Sequence, residues 1–195
     1  MSSPSIDVFW QNGQLLPIAD ATVPILSHGL SRGSAIFDVF GFHPGAYGVV
    51  GFRVDDHLDR LFCSAALLGM QIEYSREQLL AGVSALLAST PAERGIVKIM
   101  AYWPQEAAID LLLDQPLDVA IFVIPSSPTL VLDGQTPITA CCCRWQKLHP
   151  QTLPIAAKAC AYYLNGYLSR LEARGRGYDI GILLDSQHRL AEGAT

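Results

Sequence analysis

The chain has 195 residues, 50% of them hydrophobic and 16% charged, with a formal net charge of −5. That length suits one domain or two small ones with a real core, and the composition excludes a disordered chain. The mild acidity argues against nucleic acid or an anionic membrane surface as the main partner, and no apolar run is long enough to span a bilayer.

The opening MSSPSIDVFW has neither a basic region nor an apolar stretch, so no secretory signal is expected. VFWQNGQLL reads as two short strands around Asn12-Gly13, a tight-turn pair with apolar flanks. A loop leads into SHGLSRGSAIFDVFGF, whose AIFDVFGF half is a β-rich apolar run, and VVGFRV continues as a strand. Asp55 and Asp56 then offer an N-cap to a helix whose apolar positions are Leu58, Leu61, Phe62, Ala65 and Leu68. Ser75, with Gln78 three residues on, predicts a capped second helix carrying Leu79, Leu80, Val83, Leu86 and Leu87 on its apolar stripe. GIVKIMAYW and LDVAIFVIP are strands.

The texture changes at PSSPTLVLDGQTP, where Pro, Ser, Gly and Asp cluster, and an interdomain linker is expected at 126–136. It divides a small N-terminal unit, 1–125, from a second unit, 137–195. In the second, PITACCCRW reads as a strand and LPIAAK as a short extended segment. A helix follows from about Cys160 to Arg174, with Ala161, Leu164, Leu168 and Leu171 on one face and Gly175 and Gly177 to stop it. DIGILLD is a buried strand, SQHR a turn, and RLAEGAT the start of a return strand.

The five cysteines form no C-x-x-C pair, so zinc is not expected. They read as small buried apolar residues in a reducing, cytoplasmic compartment. Lys158 stands out instead. It lies among alanines where an extended segment meets a helix, and a poorly hydrated amine there is a nucleophile. Taken alone, it reads more readily as a lysine snorkelling from the surface.

Its neighbours add to that reading. AAK-x4-Y, then S-R-L-E-A-R-G-x-G-Y-D, then ILLD-x4-LAEGAT resembles the large-domain segment of class IV aminotransferases. Upstream, WQNG, VPILSHGL-x-x-GSAIFDVF and F-R-x-x-DHLDRL-x-x-SA resemble the small domain of the branched-chain enzymes in that family. The resemblance implies a two-domain α/β fold of the D-amino-acid aminotransferase type, with the second domain incomplete. It also implies pyridoxal 5'-phosphate (PLP) as cofactor, an amino acid and a 2-oxo acid as substrates, and a homodimer.

Several roles follow from the resemblance. Lys158 is the Schiff-base lysine and later the proton carrier. Glu192 faces the pyridine nitrogen and keeps it protonated, Arg60 pairs with the phosphate, and Tyr163 hydrogen-bonds the ring hydroxyl. Phe37 is a wall of the substrate pocket, and Tyr102 is a further pocket candidate. Arg32 departs from the branched-chain pattern, which places an aromatic residue there; it either reads a second substrate carboxylate or points to solvent, and Asp38 is a carboxylate near enough to neutralise it. Tyr162 reads as packing and His28 as a structural hydrogen-bonding residue. The chain ends within EGAT, where family members are expected to continue. Transamination is the leading reading; a lyase of the aminodeoxychorismate lyase type, or a non-catalytic fragment, are the alternatives.

Overall fold

The computed structural model describes residues 6–107, 109–126 and 137–194. Apart from Ser126, the expected linker lies outside the described residues.

The chain opens with the expected hairpin, β1 (Val8–Gln11) and β2 (Gln14–Pro17). Asn12 and Gly13 both have positive φ, 48° and 92°, as a tight two-residue turn of this hand requires. A single helical turn, α1 (His28–Ser31), precedes β3 (Ile36–Gly45) and β4 (Gly48–Gly51). Two 14-residue helices follow, α2 (Val54–Leu67) and α3 (Arg76–Ser89), then β5 (Gly95–Tyr102) and β6 (Asp118–Pro125). α2 begins earlier than the acidic pair foretold. Arg53, in a left-handed conformation, is the N-cap, and Asp55 and Asp56 lie inside the first turn, where carboxylates suit the helix dipole. The capping box of Ser75 and Gln78 forms as expected.

These strands build one antiparallel sheet in the order β2-β1-β6-β5-β3-β4. Period-2 alternation splits its faces. Ile36, Phe40, Phe42, Val97, Ile99, Val119, Ile121 and Trp10 face Leu58, Leu61, Leu79, Val83 and Leu86 from α2 and α3 in the main core. Asp38 shares the parity of Ile36 and Phe40 and is 1% exposed.

The second unit is smaller. β7 (Ala140–Gln146) runs parallel to β8 (Ile180–Leu184), joined through α4 (Tyr163–Gly175), and β9 (Leu190–Gly193) returns antiparallel. The apolar face of α4 read from the sequence is not the buried one: Leu164 and Leu171 are exposed. The buried face is Ser169 and Ala173 instead. Small residues let α4 lie close on the sheet, and Gly181 completes the fit, since a β-carbon there would stand 2.3 Å from Ser169 Oγ and 2.6 Å from Cys143 Sγ. The cysteine expectation holds only in part. Cys141 and Cys143 are buried, Cys160 is intermediate, but Cys63 and Cys142 are exposed.

The two sheets meet through the segment carrying Lys158. Ala159 bridges Ile36, Phe37 N–H donates to Lys158 O (3.0 Å), and Cys160 N–H donates to Ala35 O (2.8 Å). Residues 158–160 therefore act as a short extra strand beside the start of β3, where β4 does not reach.

Candidate active site

That extra strand fixes the backbone of Lys158, and α2 fixes it again. Ser64, fully buried, accepts from Lys158 N–H at 2.9 Å and donates to Arg60 O at 2.7 Å. The ammonium then reaches Tyr163 Oη at 2.5 Å, at the start of α4. Its walls are aromatic: Nζ is 4.9 Å from the Phe37 ring centroid and 5.2 Å from that of Tyr163, and the two rings are 4.9 Å apart.

Lys158 lies in a cleft of about 260 Å³ whose lining also includes Arg60, Lys147, Tyr162, Tyr163 and Glu192. Four residues singled out from the sequence for one ligand, Lys158, Arg60, Tyr163 and Glu192, thus line one cavity, although they come from α2, the extra strand, α4 and β9. Phe37 touches it through the Lys158 and Tyr163 contacts.

Arg60 is held from behind. Its Nε donates to Asp38 Oδ2 at 2.6 Å and its Nη2 to Asp38 Oδ1 at 2.8 Å, while Nη1 has no partner among the described residues. Hydrogen bonding to that carboxylate raises the Arg60 pKa above its ordinary value, against a smaller opposing effect of burial. His57 Nδ1 is 2.8 Å from Asp38 Oδ1, and since a carboxylate only accepts, the hydrogen sits on Nδ1. Asp38 therefore directs its oxygens to Arg60 and His57, not to the neutralisation of Arg32 imagined from sequence.

Glu192 is also paired, with Lys147 Nζ 2.6 Å from Oε1. Lys147 was not foreseen, nor was Lys98, whose ammonium stands 4.7 Å from the Phe37 centroid. Tyr162, read as packing, does pack on the core, yet it also lines the cleft with a buried hydroxyl that has no partner among the described residues. Burial raises its pKa.

Arg32 and Tyr102 are not brought into this cleft. Arg32 is exposed, as the C-cap of α1. Tyr102 lines a separate, mainly apolar cavity of about 280 Å³ with Phe9, Leu30, Met100 and Phe122, and burial followed by the nearby Asp118 raises its pKa. His28 is structural, as expected: it bonds Ser34 Oγ (2.8 Å) and Leu111 O (3.1 Å) and packs edge-on against Trp103.

The donor set fits PLP. One amine stands beside a phenolic hydroxyl and one carboxylate lines the cleft, while one guanidinium nitrogen and one buried hydroxyl have no partner among the described residues. Those groups answer an aldehyde, a phosphate and a basic ring nitrogen.

Comparison with known proteins agrees with the geometry. The family model described as amino-transferase class IV matches residues 35–195. A probable branched-chain-amino-acid aminotransferase of Rickettsia bellii is 28% identical over 186 residues, covering 95% of this chain and 62% of that protein. The Escherichia coli K12 branched-chain-amino-acid aminotransferase is 28% identical over 199 residues, 100% of this chain and 63% of that one. The chain thus spans a little under two thirds of the curated relatives it matches. Among solved structures, the branched-chain aminotransferase of Thermoproteus uzoniensis with norvaline superposes at a TM-score of 0.89 with 28% identity, over 97% of this chain and 63% of that one. The Escherichia coli branched-chain enzyme gives 0.90 at 28% identity, over 97% and 63%.

Proposed function

Since this chain belongs to the class IV aminotransferase family, we propose that it serves PLP-dependent transamination between an amino acid and a 2-oxo acid, with branched-chain substrates the first to test. The observation that carries the proposal is the 2.5 Å contact between Lys158 Nζ and Tyr163 Oη, in one cleft with Arg60 and Glu192.

When bound, PLP supplies an aldehyde for covalent capture of amines and a ring that withdraws electrons from the substrate α-carbon. The chain's own residues do the rest. Lys158 would hold the aldehyde end, and its Nζ would move a proton beside that carbon. Tyr163 orients Nζ, and Phe37 closes the wall behind it. Arg60 would hold the phosphate with its Nη1 donors, and Glu192 would keep a proton on the ring nitrogen. Arg32 and Tyr102, which lie outside the cleft, are left out of this reading. The relatives named above are aminotransferases, which favours transamination over the lyase alternative.

The test is cofactor trapping. The full chain, mixed with PLP, is expected to develop an absorption band in the visible or near ultraviolet, and borohydride should fix the adduct on Lys158. An adduct mapped to Lys98 or Lys147 would defeat the assignment.

Residues 1–125 are read as the small domain and 137–195 as the first part of the large one; the two separate sheets support this division. Self-association as a homodimer belongs to the same reading. Ile25, Leu26, Leu30, Leu111 and Leu112 are exposed, and their loops are tied together by Ala107 N–H donating to Leu26 O and His28 bonding Leu111 O. An apolar surface of this kind is a contact site. Sedimentation of a Leu112→Glu variant tests it: the variant should shift toward monomer. The free thiols support a cytoplasmic setting.

A further inference from the structure

Asp38 occupies a position that the alternation of β3 reserves for an apolar side chain. Ile36, Phe40 and Phe42, of the same parity, belong to the main core. At 1% exposure a carboxylate is tolerated only when its oxygens are satisfied. Here they are: Oδ1 accepts from His57, Arg60 Nη2 and the N–H of Val39, and Oδ2 accepts from Arg60 Nε.

The pairing is lopsided. Asp38 is sealed in the sheet, whereas the Arg60 side chain is 46% exposed and lines the cleft. A guanidinium on a flexible stem loses orientational freedom when both nitrogens of one edge are bound in a fork. We propose that Asp38 is a positioning residue for the phosphate anchor: it fixes the Nε–Nη2 edge of Arg60 against β3 and so presents the remaining Nη1 donors to the ligand. His57, one turn earlier on α2, completes the clamp by holding Asp38 Oδ1 in place. The inference rests on the reading of Arg60 as the phosphate ligand.

The test compares PLP with pyridoxal, which lacks the phosphate, as ligands of the full chain. Dissociation constants are measured by absorbance for the parent, Asp38→Asn, Arg60→Met and the double variant. Asp38→Asn should weaken PLP by about tenfold or more, as for loss of a charge-assisted fork, and leave pyridoxal within about twofold. Arg60→Met should lose the same preference for the phosphate, and adding Asp38→Asn to it should cost nothing further. Equal weakening of both ligands in Asp38→Asn would reduce Asp38 to a structural role and overturn the proposal. If Asp38→Asn fails to fold, Arg60→Met against the double variant decides, because that pair of changes leaves no buried charge unpaired. A further loss of phosphate preference in the double variant overturns the proposal, and none supports it. A parent that binds PLP and pyridoxal equally would overturn the reading of Arg60 itself, a result distinct from failure of the Asp38 clamp alone.

Discussion

Lys147 Nζ lies 2.6 Å from Glu192 Oε1, so the carboxylate assigned to the ring nitrogen is already ion-paired across 45 residues of sequence. Both partners line the cleft. Lys147 lies just beyond β7 and Glu192 in β9, on either side of β8, so the pair straddles the central strand of the small sheet. The pair is partly solvated, at 23% and 44% exposure, and its worth to folding is correspondingly small.

Glu192→Gln should therefore fold and bind PLP almost as the parent does. Its turnover should fall by about two to three orders of magnitude, the scale for losing one charge aimed at a developing charge. Steady-state kinetics beside a PLP titration checks this. Unchanged turnover removes Glu192 from the mechanism.

Tyr163→Phe deletes one hydroxyl and keeps the ring that packs tilted against Phe37 at 4.9 Å. Stability should change by no more than about 1 kcal/mol, the net value of a typical hydrogen bond. Turnover should drop by about tenfold as Lys158 loses its orienting partner. Denaturant unfolding and kinetics on one preparation separate the two effects.

Ser64→Ala strips the acceptor from the backbone N–H of Lys158 and leaves that group unsatisfied. The expected loss of stability is about 1–3 kcal/mol. The rate at which PLP becomes reducible onto Lys158 should also fall. Ser64→Ala with parental stability would show that another group, or water, replaces the hydroxyl.

Thiol chemistry provides a pH test. Burial raises the pKa of Cys160, with Lys98 opposing it weakly. At pH 8 iodoacetamide should label the exposed Cys63 and Cys142 before Cys160 and the buried Cys141 and Cys143, as mapped by peptide mass. The stability effect has a definite sign. A thiol whose folded pKa exceeds its unfolded value contributes fully below the unfolded value, and that contribution is lost as pH rises through the folded one. Tyr102, also raised, acts in the same direction at higher pH. Melting temperature should decline in the alkaline range, and less steeply in Cys160→Ser.

What the sequence disclosed was mostly local. The Asn12-Gly13 turn, the Ser75 capping box and the apolar strands carry their signals within a few residues, and these elements form as read. The motif residues of the cleft were also legible, because a resemblance carries position without needing contact. Pairings between distant positions were not. Asp38 with Arg60, Ser64 with Lys158, and Lys147 with Glu192 are separated by 22, 94 and 45 residues, and no spacing rule links them. One trace was available for Asp38: an acidic residue at an apolar beat of AIFDVFGF. Which face of α4 is buried was not legible for another reason. Leucines at helical spacing mark an apolar face, but close packing on β8 favours Ser169 and Ala173, whose small size the sheet requires.

Arg60 and Ser64 stand four residues apart on α2, one above the other, about 6 Å along the axis. From Ser64 hangs the backbone of Lys158, and at Arg60 is the guanidinium read as the phosphate holder. On that reading, a single turn of one helix would gauge the span between the two ends of the ligand. A one-residue insertion between them would swing Ser64 by about 100° around the axis and detune the span, with no side chain in the cleft altered.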